Sequence, residues 1–265
     1  MGYYISQSTQ LDYNSLANIP TPESTDSFVP IPHTSLVSMI KNGLNARNFN
    51  IVEEKYAIDK VQDMFGMLKM ESSNGAYHNI IGIRNSHNKR FSASACHGSS
   101  VMVCDNLSFH GEHQISRKHT KYIMRDLTDK VSDLMNNIVK GWANQEHRFN
   151  AYTASELSDR DFNELLGDAI QSHAIQPSKA LKVAAEYKDP RHDEFKPRNA
   201  WSAFNAFTEI YKESPNQIMN AGKRSINLHS VFDRFCSDAI DHEVMNHETV
   251  SQPESLKSLL TINAS

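Results

Sequence analysis

Residues 77–109 read YHNIIGIRNSHNKRFSASACHGSSVMVCDNLSF, and this stretch decides the fold. Short apolar or β-branched blocks alternate with turn-forming residues. Tyr77–Arg84 predicts a strand, Asn85–Asn88 a turn and Arg90–Cys96 a second strand; Val101–Phe109 predicts a third after the break at Gly98. Connections this short leave no room for a crossover helix, so neighbouring strands must run antiparallel.

Toward the N-terminus the same grammar continues. Asn74-Gly75 closes a Ser72–Gly75 turn, the strongest short hairpin signal. Met64–Met70 and Phe49–Ala57 predict two further strands. Before them Leu36, Met39, Ile40 and Leu44 recur at helical spacing behind a Thr34 or Ser35 N-cap, in a run ending near Asn48. Residues 1–32 are polar, contain Pro20, Pro22, Pro30 and Pro32, and carry no Lys or Arg. They predict a flexible arm or an extended strand laid over the core.

Toward the C-terminus the period lengthens. Tyr122, Ile123, Leu127, Val131, Leu134, Ile138 and Trp142 form the apolar stripe of one long helix, from near Arg117 to Gln145–Asn150. Ser158 caps a following helix, with Asp161 suited to its positive end. Pro177 opens a short helix to Tyr187, and Lys188–Lys196 is a charged loop. Pro197 suits the first position of a helix carrying Trp201, Phe204, Phe207 and Ile210. Ile226–Ile240 predicts the last helix, and the acidic segment from Asp241 predicts disorder. The expected class is α+β: an antiparallel β-meander packed by a long helix, with a helical C-terminal part. It divides into a 1–32 arm, a 33–150 core, a 151–240 helical part and a 241–265 tail.

Composition excludes several classes. The 265 residues include 23 Asn and 30 Ser, and the net charge is −4. That charge argues against coating nucleic acid with the whole surface. No 18-residue apolar stretch predicts a membrane span, and no basic, apolar leader predicts secretion. Three Cys make no disulfide framework, so a cytoplasmic setting is expected.

The charge is uneven. Ile80–Arg125 holds seven Lys and Arg against two acids, an excess of +5 within a chain of −4. Arg84, Lys89, Arg90, Arg117, Lys118 and Lys121 fall on a hairpin turn and at a helix start, where they are candidate phosphate contacts for single-stranded DNA. A solvated face is the plain alternative. Tyr77, Phe91, Phe109 and Tyr122 serve either core packing or base stacking.

Asn85, Cys104, Asp105, Asn106 and His119 stand out in the same segment without an assigned role. Asp and Asn are poor strand formers, so Asp105 and Asn106 either hold a turn or serve a function. Cys96, Cys104, His110 and His113 supply zinc-type atoms, but no C-x-x-C or H-E-x-x-H spacing occurs, and no metal is expected. No Gly-rich phosphate loop, G-x-S-x-G or Walker lysine occurs, so no catalytic residue or cofactor is assigned. An enzyme using Cys104 or a His-ligated metal stays an open alternative.

Gly82-Ile83-Arg84-Asn85-Ser86, Val103-Cys104-Asp105-Asn106-Leu107, Arg117-Lys118-His119-Thr120, Asn199-Ala200-Trp201 and Phe204-Asn205-Ala206-Phe207-Thr208-Glu209 follow one another in this order. On these blocks the chain, from about His33 to Lys212, resembles the phage/plasmid-like proteins grouped as domain of unknown function nine-three-two. The resemblance implies a mobile genetic element acting in a bacterial cytoplasm and carries over no catalytic residue. The order of helix, meander and long helix is also similar to the core of single-strand annealing proteins of the Rad-fifty-two type. In those a basic groove holds single-stranded DNA on a ring. That likeness is one of organisation, and it implies DNA handling by a homo-oligomer. The acidic remainder of the chain suggests a rival: a protein–protein inhibitor of a host defence or host factor.

Overall fold

The strand signals form one sheet. The computed structural model describes residues 9–59, 62–71, 77–101, 107–213 and 218–241. Among these residues, β1 (Thr9–Leu11), β2 (Ile51–Ile58), β3 (Asp63–Met70), β4 (Tyr77–Ser86), β5 (Ala93–Val101) and β6 (Leu107–Arg117) pair in chain order. Every neighbouring pair is antiparallel. The helices are α1 (Tyr13–Ala17), α2 (His33–Asn45), α3 (Ile123–Ala154), α4 (Asp159–Gln171), α5 (Ala180–Lys188), α6 (Ala200–Lys212) and α7 (Ile218–Phe235). The class is therefore α+β, with the long helix α3 packed on the meander.

Boundaries shift where tertiary partners satisfy residues that look like turn formers. Asn85 and Ser86 stay in β4, paired with Met64 and Asp63, so the turn starts at His87 rather than Asn85. Arg90 belongs to that turn, and β5 starts at Ala93 and runs through Gly98, which pairs with Ile80. Arg117 ends β6 opposite Ala93 instead of starting the long helix, and α3 begins only at Ile123. Pro197 lies ahead of α6, whose N-cap is Asn199: its side chain accepts from the Ser202 amide at 2.9 Å. Ser158 and Asp161 do form a reciprocal capping box on α4. Residues 9–32 are tied down: β1 adds to the edge of β2, and Leu16 and Ile31 are buried in the core. The Asn74-Gly75 turn, Cys104, Asp105, Asn106 and the tail beyond Asp241 lie outside the described residues.

Strand alternation puts Met64, Leu68, Ile81, Ile83 and Ala95 in one core with α2 and with Leu127, Val131, Leu134 and Ile138 of α3. Farther along, Phe149 and Tyr152 of α3 enter a second core with α4, α5, α6 and α7. α3 is the spine common to both. Two glycines give opposite predictions. A Cβ on Gly43 of α2 would lie 2.7 Å from Met135 Cγ of α3, whereas one on Gly167 of α4 would meet nothing within 4 Å. Gly43→Ala is expected to cost about 1–3 kcal/mol by overpacking. Gly167→Ala is expected to gain up to about 1 kcal/mol from helix propensity. Denaturant unfolding of both variants checks the signs.

Candidate functional site

The sheet register collects the basic residues. Arg84 pairs with Ser94, Ser94 with Ser116, and Ala93 with Arg117, so the end of β4, the start of β5 and the end of β6 coincide. Arg84, Lys89, Arg90, Arg117, Lys118 and Lys121 therefore share one end of the sheet.

Their partners separate them. Arg90 Nη1 is 2.7 Å from Asp63 Oδ2 and 3.5 Å from Asp59 Oδ2. Arg117 Nη2 is 2.5 Å from Asp126 Oδ2 and donates to Thr120 Oγ1 at 3.3 Å. Both charges are largely spent inside the protein. The Arg84 guanidinium lies 5.3 Å from the Phe91 ring centre. Among the described residues Lys89, Lys118 and Lys121 enter no ion pair.

Tyr122 sits where these free cations are. The stripe pattern assigned it to the buried face of the long helix; instead it is the N-cap of α3, and it is 52% exposed. Lys121 Nζ lies 5.9 Å and Arg125 Cζ 4.7 Å from its ring centre. The result is an outward aromatic ring held between two cations, with exposed Lys118 beside it. Arg125, which the local charge includes without singling it out, also has its Nη2 3.1 Å from Asp126 Oδ1. Its spacing, one helical turn after Lys121 and Tyr122, was the available signal.

Lys89 joins this end from the β4–β5 turn. Its φ of 67° is the left-handed region, which costs an L residue about 1–2 kcal/mol. The turn holds Lys89 Nζ 5.2 Å from the Phe28 ring, and Phe28 in turn packs 5.2 Å from the His119 ring.

Beneath this surface is a buried polar network. Asn85 Nδ2 donates to Ile31 O at 3.0 Å and to His33 Nδ1 at 2.9 Å. His119 Nε2 donates to Asn85 Oδ1 at 2.8 Å, and His87 Nε2 donates to Ile31 O at 2.8 Å. The carbonyl of Ile31 can only accept, which fixes the Asn85 amide and so the three tautomers. The His33 and His87 rings stack with centres 3.8 Å apart. The network pins the chain ahead of α2 to the end of the sheet and to the turn before α3. Asn85 and His119, unassigned in the sequence, thus act together.

Burial and the neighbouring imidazoles hold the His33 pKa down to about 3 and that of His119 to about 4. Burial also lowers His87, with Asp63 acting the other way. The unfolded chain takes up these protons near pH 6.5, the folded chain only much lower. Stability is therefore complete above that pH and is lost as the pH falls toward 4 and then 3. The expected slope below pH 6 is about 1.4 kcal/mol per pH unit for each titrating ring. Urea unfolding between pH 7 and pH 5 measures it, and His33→Asn should lower the slope by about one proton.

Among the described residues no group of three or more His, Cys, Asp or Glu is arranged to hold a metal ion. Burial pushes the Cys96 thiol up to about 12, which favours the protonated thiol at neutral pH. No described helix is long and apolar enough to cross a membrane.

Residues 24–231, well over half of the chain, match the family described as Domain of unknown function (DUF932). No curated protein matches the chain, and no solved structure matches it.

Proposed function

The chain belongs to the DUF932 family, and from that premise we propose that it binds single-stranded DNA through the sheet end that carries Tyr122. The observation that carries this reading is the exposed Tyr122 ring between Lys121 and Arg125, with unpaired Lys118 beside it and Lys89 at the same end. A base stacks on an exposed ring only when it is free of a duplex, while lysines track the backbone. Arg90 and Arg117 brace the surface through Asp63 and Asp126 rather than contact phosphate. The resemblance to phage/plasmid-like proteins supports a role on a mobile element in a bacterial cytoplasm, and the likeness in organisation to single-strand annealing proteins supports recombination by a homo-oligomer.

A labelled oligonucleotide titrated across a salt series tests the proposal. Three phosphate contacts, from Lys89, Lys118 and Lys121, give a slope of about −2 in log affinity against log salt, at about −0.7 per contact, with Arg125 held by Asp126. No mobility shift at about 50 mM salt, where phosphate-driven affinity is strongest, overturns it.

A further inference from the structure

Gln145 of α3 and Ser99 of β5 are fully buried, and their polar side-chain atoms have no hydrogen-bond partner among the described residues. Both ends of the Gln145 amide are unpaired. So are Ser99 Oγ, Asn79 Oδ1 of β4 and Trp142 Nε1 of α3. Unpaired buried polar atoms are rare in native proteins, and five in one place call for an explanation.

Register brings them together. Tyr77 of β4 meets Phe149 of α3 edge-on, ring centres 5.1 Å apart. Later β4 residues, Ile81 and Ile83, share a core with earlier α3 residues, Ile138 and Leu134, so helix and strand run in opposite directions. Four residues back from Phe149 cover about 6 Å of helix, and two residues on from Tyr77 cover about 6.6 Å of strand. Gln145 therefore lies level with Asn79 along the strand direction, on a helix that packs on β5 and β6. Ser99 is opposite Asn79 in the β4–β5 ladder, and Asn79, Ile81 and Ile83 share the face that α3 covers. Trp142 lies one helical turn from Gln145. The polar seam falls at the boundary between the two apolar cores.

The atoms define the guest. Gln145 Nε2 and Trp142 Nε1 donate, Gln145 Oε1 and Asn79 Oδ1 accept, and Ser99 Oγ does both. None is charged, and an ion buried here would go uncompensated. His97 is next on this face of β5 and acts on His229 of α7; burial holds His229 well below its ordinary value and so neutral. We propose that the seam is an internal water-binding site, in which bound waters bridge Gln145 to Ser99 and Asn79. Buried waters of this kind make two to four hydrogen bonds to otherwise unsatisfied groups.

A double-mutant cycle tests the bridge, because the two side chains make no direct bond. Gln145→Met and Ser99→Ala should each raise the unfolding equilibrium constant about tenfold (about 1.4 kcal/mol). The double variant should fall about fivefold short of the product of the two, since each removes an anchor of the same waters. A Gln145→Met protein as stable as the parent, with effects that simply multiply, overturns the proposal. A high-resolution crystal structure of the unaltered protein gives an independent readout. Solvent peaks within hydrogen-bond reach of Gln145 Nε2 and Ser99 Oγ support the site; an empty seam, direct pairing of the side chains, or an organic guest overturns it.

Discussion

Asn85→Ala is expected to lower stability by about 3 kcal/mol or more, because one deletion leaves several buried groups unpaired at about 1–3 kcal/mol each. His33 Nδ1 loses its donor and His119 Nε2 its acceptor, while Ile31 O keeps only the bond from His87. The collapse reaches beyond these atoms. Asn85 holds His119, His119 packs on Phe28, and Phe28 carries Lys89. At about 2–4 °C per kcal/mol for a chain of this size, the melting temperature should fall by about 6–12 °C. Asn85→Asp separates the network from simple loss of volume. It keeps the shape and the acceptor for His119, but replaces the donor to His33 by a carboxylate. A protonated His33 is then stabilised, so the variant should lose less stability than the parent between pH 7 and pH 5. An Asn85→Ala protein within about 1 kcal/mol of the parent would mean that the network contributes little.

The sheet was legible in the sequence because its information is local. A short apolar run followed by turn residues places β3 at Asp63–Met70 beside a predicted Met64–Met70, and short connections fix the antiparallel order. The errors fall where a distant segment decides. Asn85 reads as a turn former in isolation, yet it pairs in a strand because Ile31, His33 and His119 satisfy its amide. Nothing near position 85 announces partners 34 to 54 residues away. Arg117 reads as a helix start because basic and polar residues follow it, whereas the ladder to Ala93 keeps it in β6. Residues 9–32, with their prolines, read equally as a flexible arm or as an extended strand laid over the core, because edge pairing to β2 leaves no local mark to choose between them. The same blindness affects the charges. Sequence counts seven cations in Ile80–Arg125 but cannot tell which meet carboxylates; Asp63 takes up Arg90, Asp126 takes up both Arg117 and Arg125, and Lys89, Lys118 and Lys121 enter no ion pair among the described residues. It also cannot tell an outward Tyr122 from an inward one, since an N-cap position obeys no helical stripe.

Charge reversal at Lys118 and Lys121 should then do what neutralising Arg90 does not. Lys118→Glu with Lys121→Glu removes two phosphate contacts and adds two repulsions, so affinity for single-stranded DNA should fall at least about a hundredfold at low salt. The salt slope should shrink by about 1.4, at about 0.7 per lost contact. Both side chains are exposed and neither is ion-paired, so the melting temperature should stay near that of the parent. Arg90→Ala makes the contrast: it strips the buried Asp63 carboxylate of its partner and should lower stability while leaving the salt slope unchanged. Tyr122→Ala isolates the stacking contribution. Stacking on one base is worth about 1–3 kcal/mol, so affinity should fall by roughly tenfold to a hundredfold with no change in slope, and Tyr122→Phe should keep most of it. Equal losses in Tyr122→Phe and Tyr122→Ala would assign the hydroxyl rather than the ring. A full-strength salt slope in the double lysine variant would move the DNA site away from this end of the sheet.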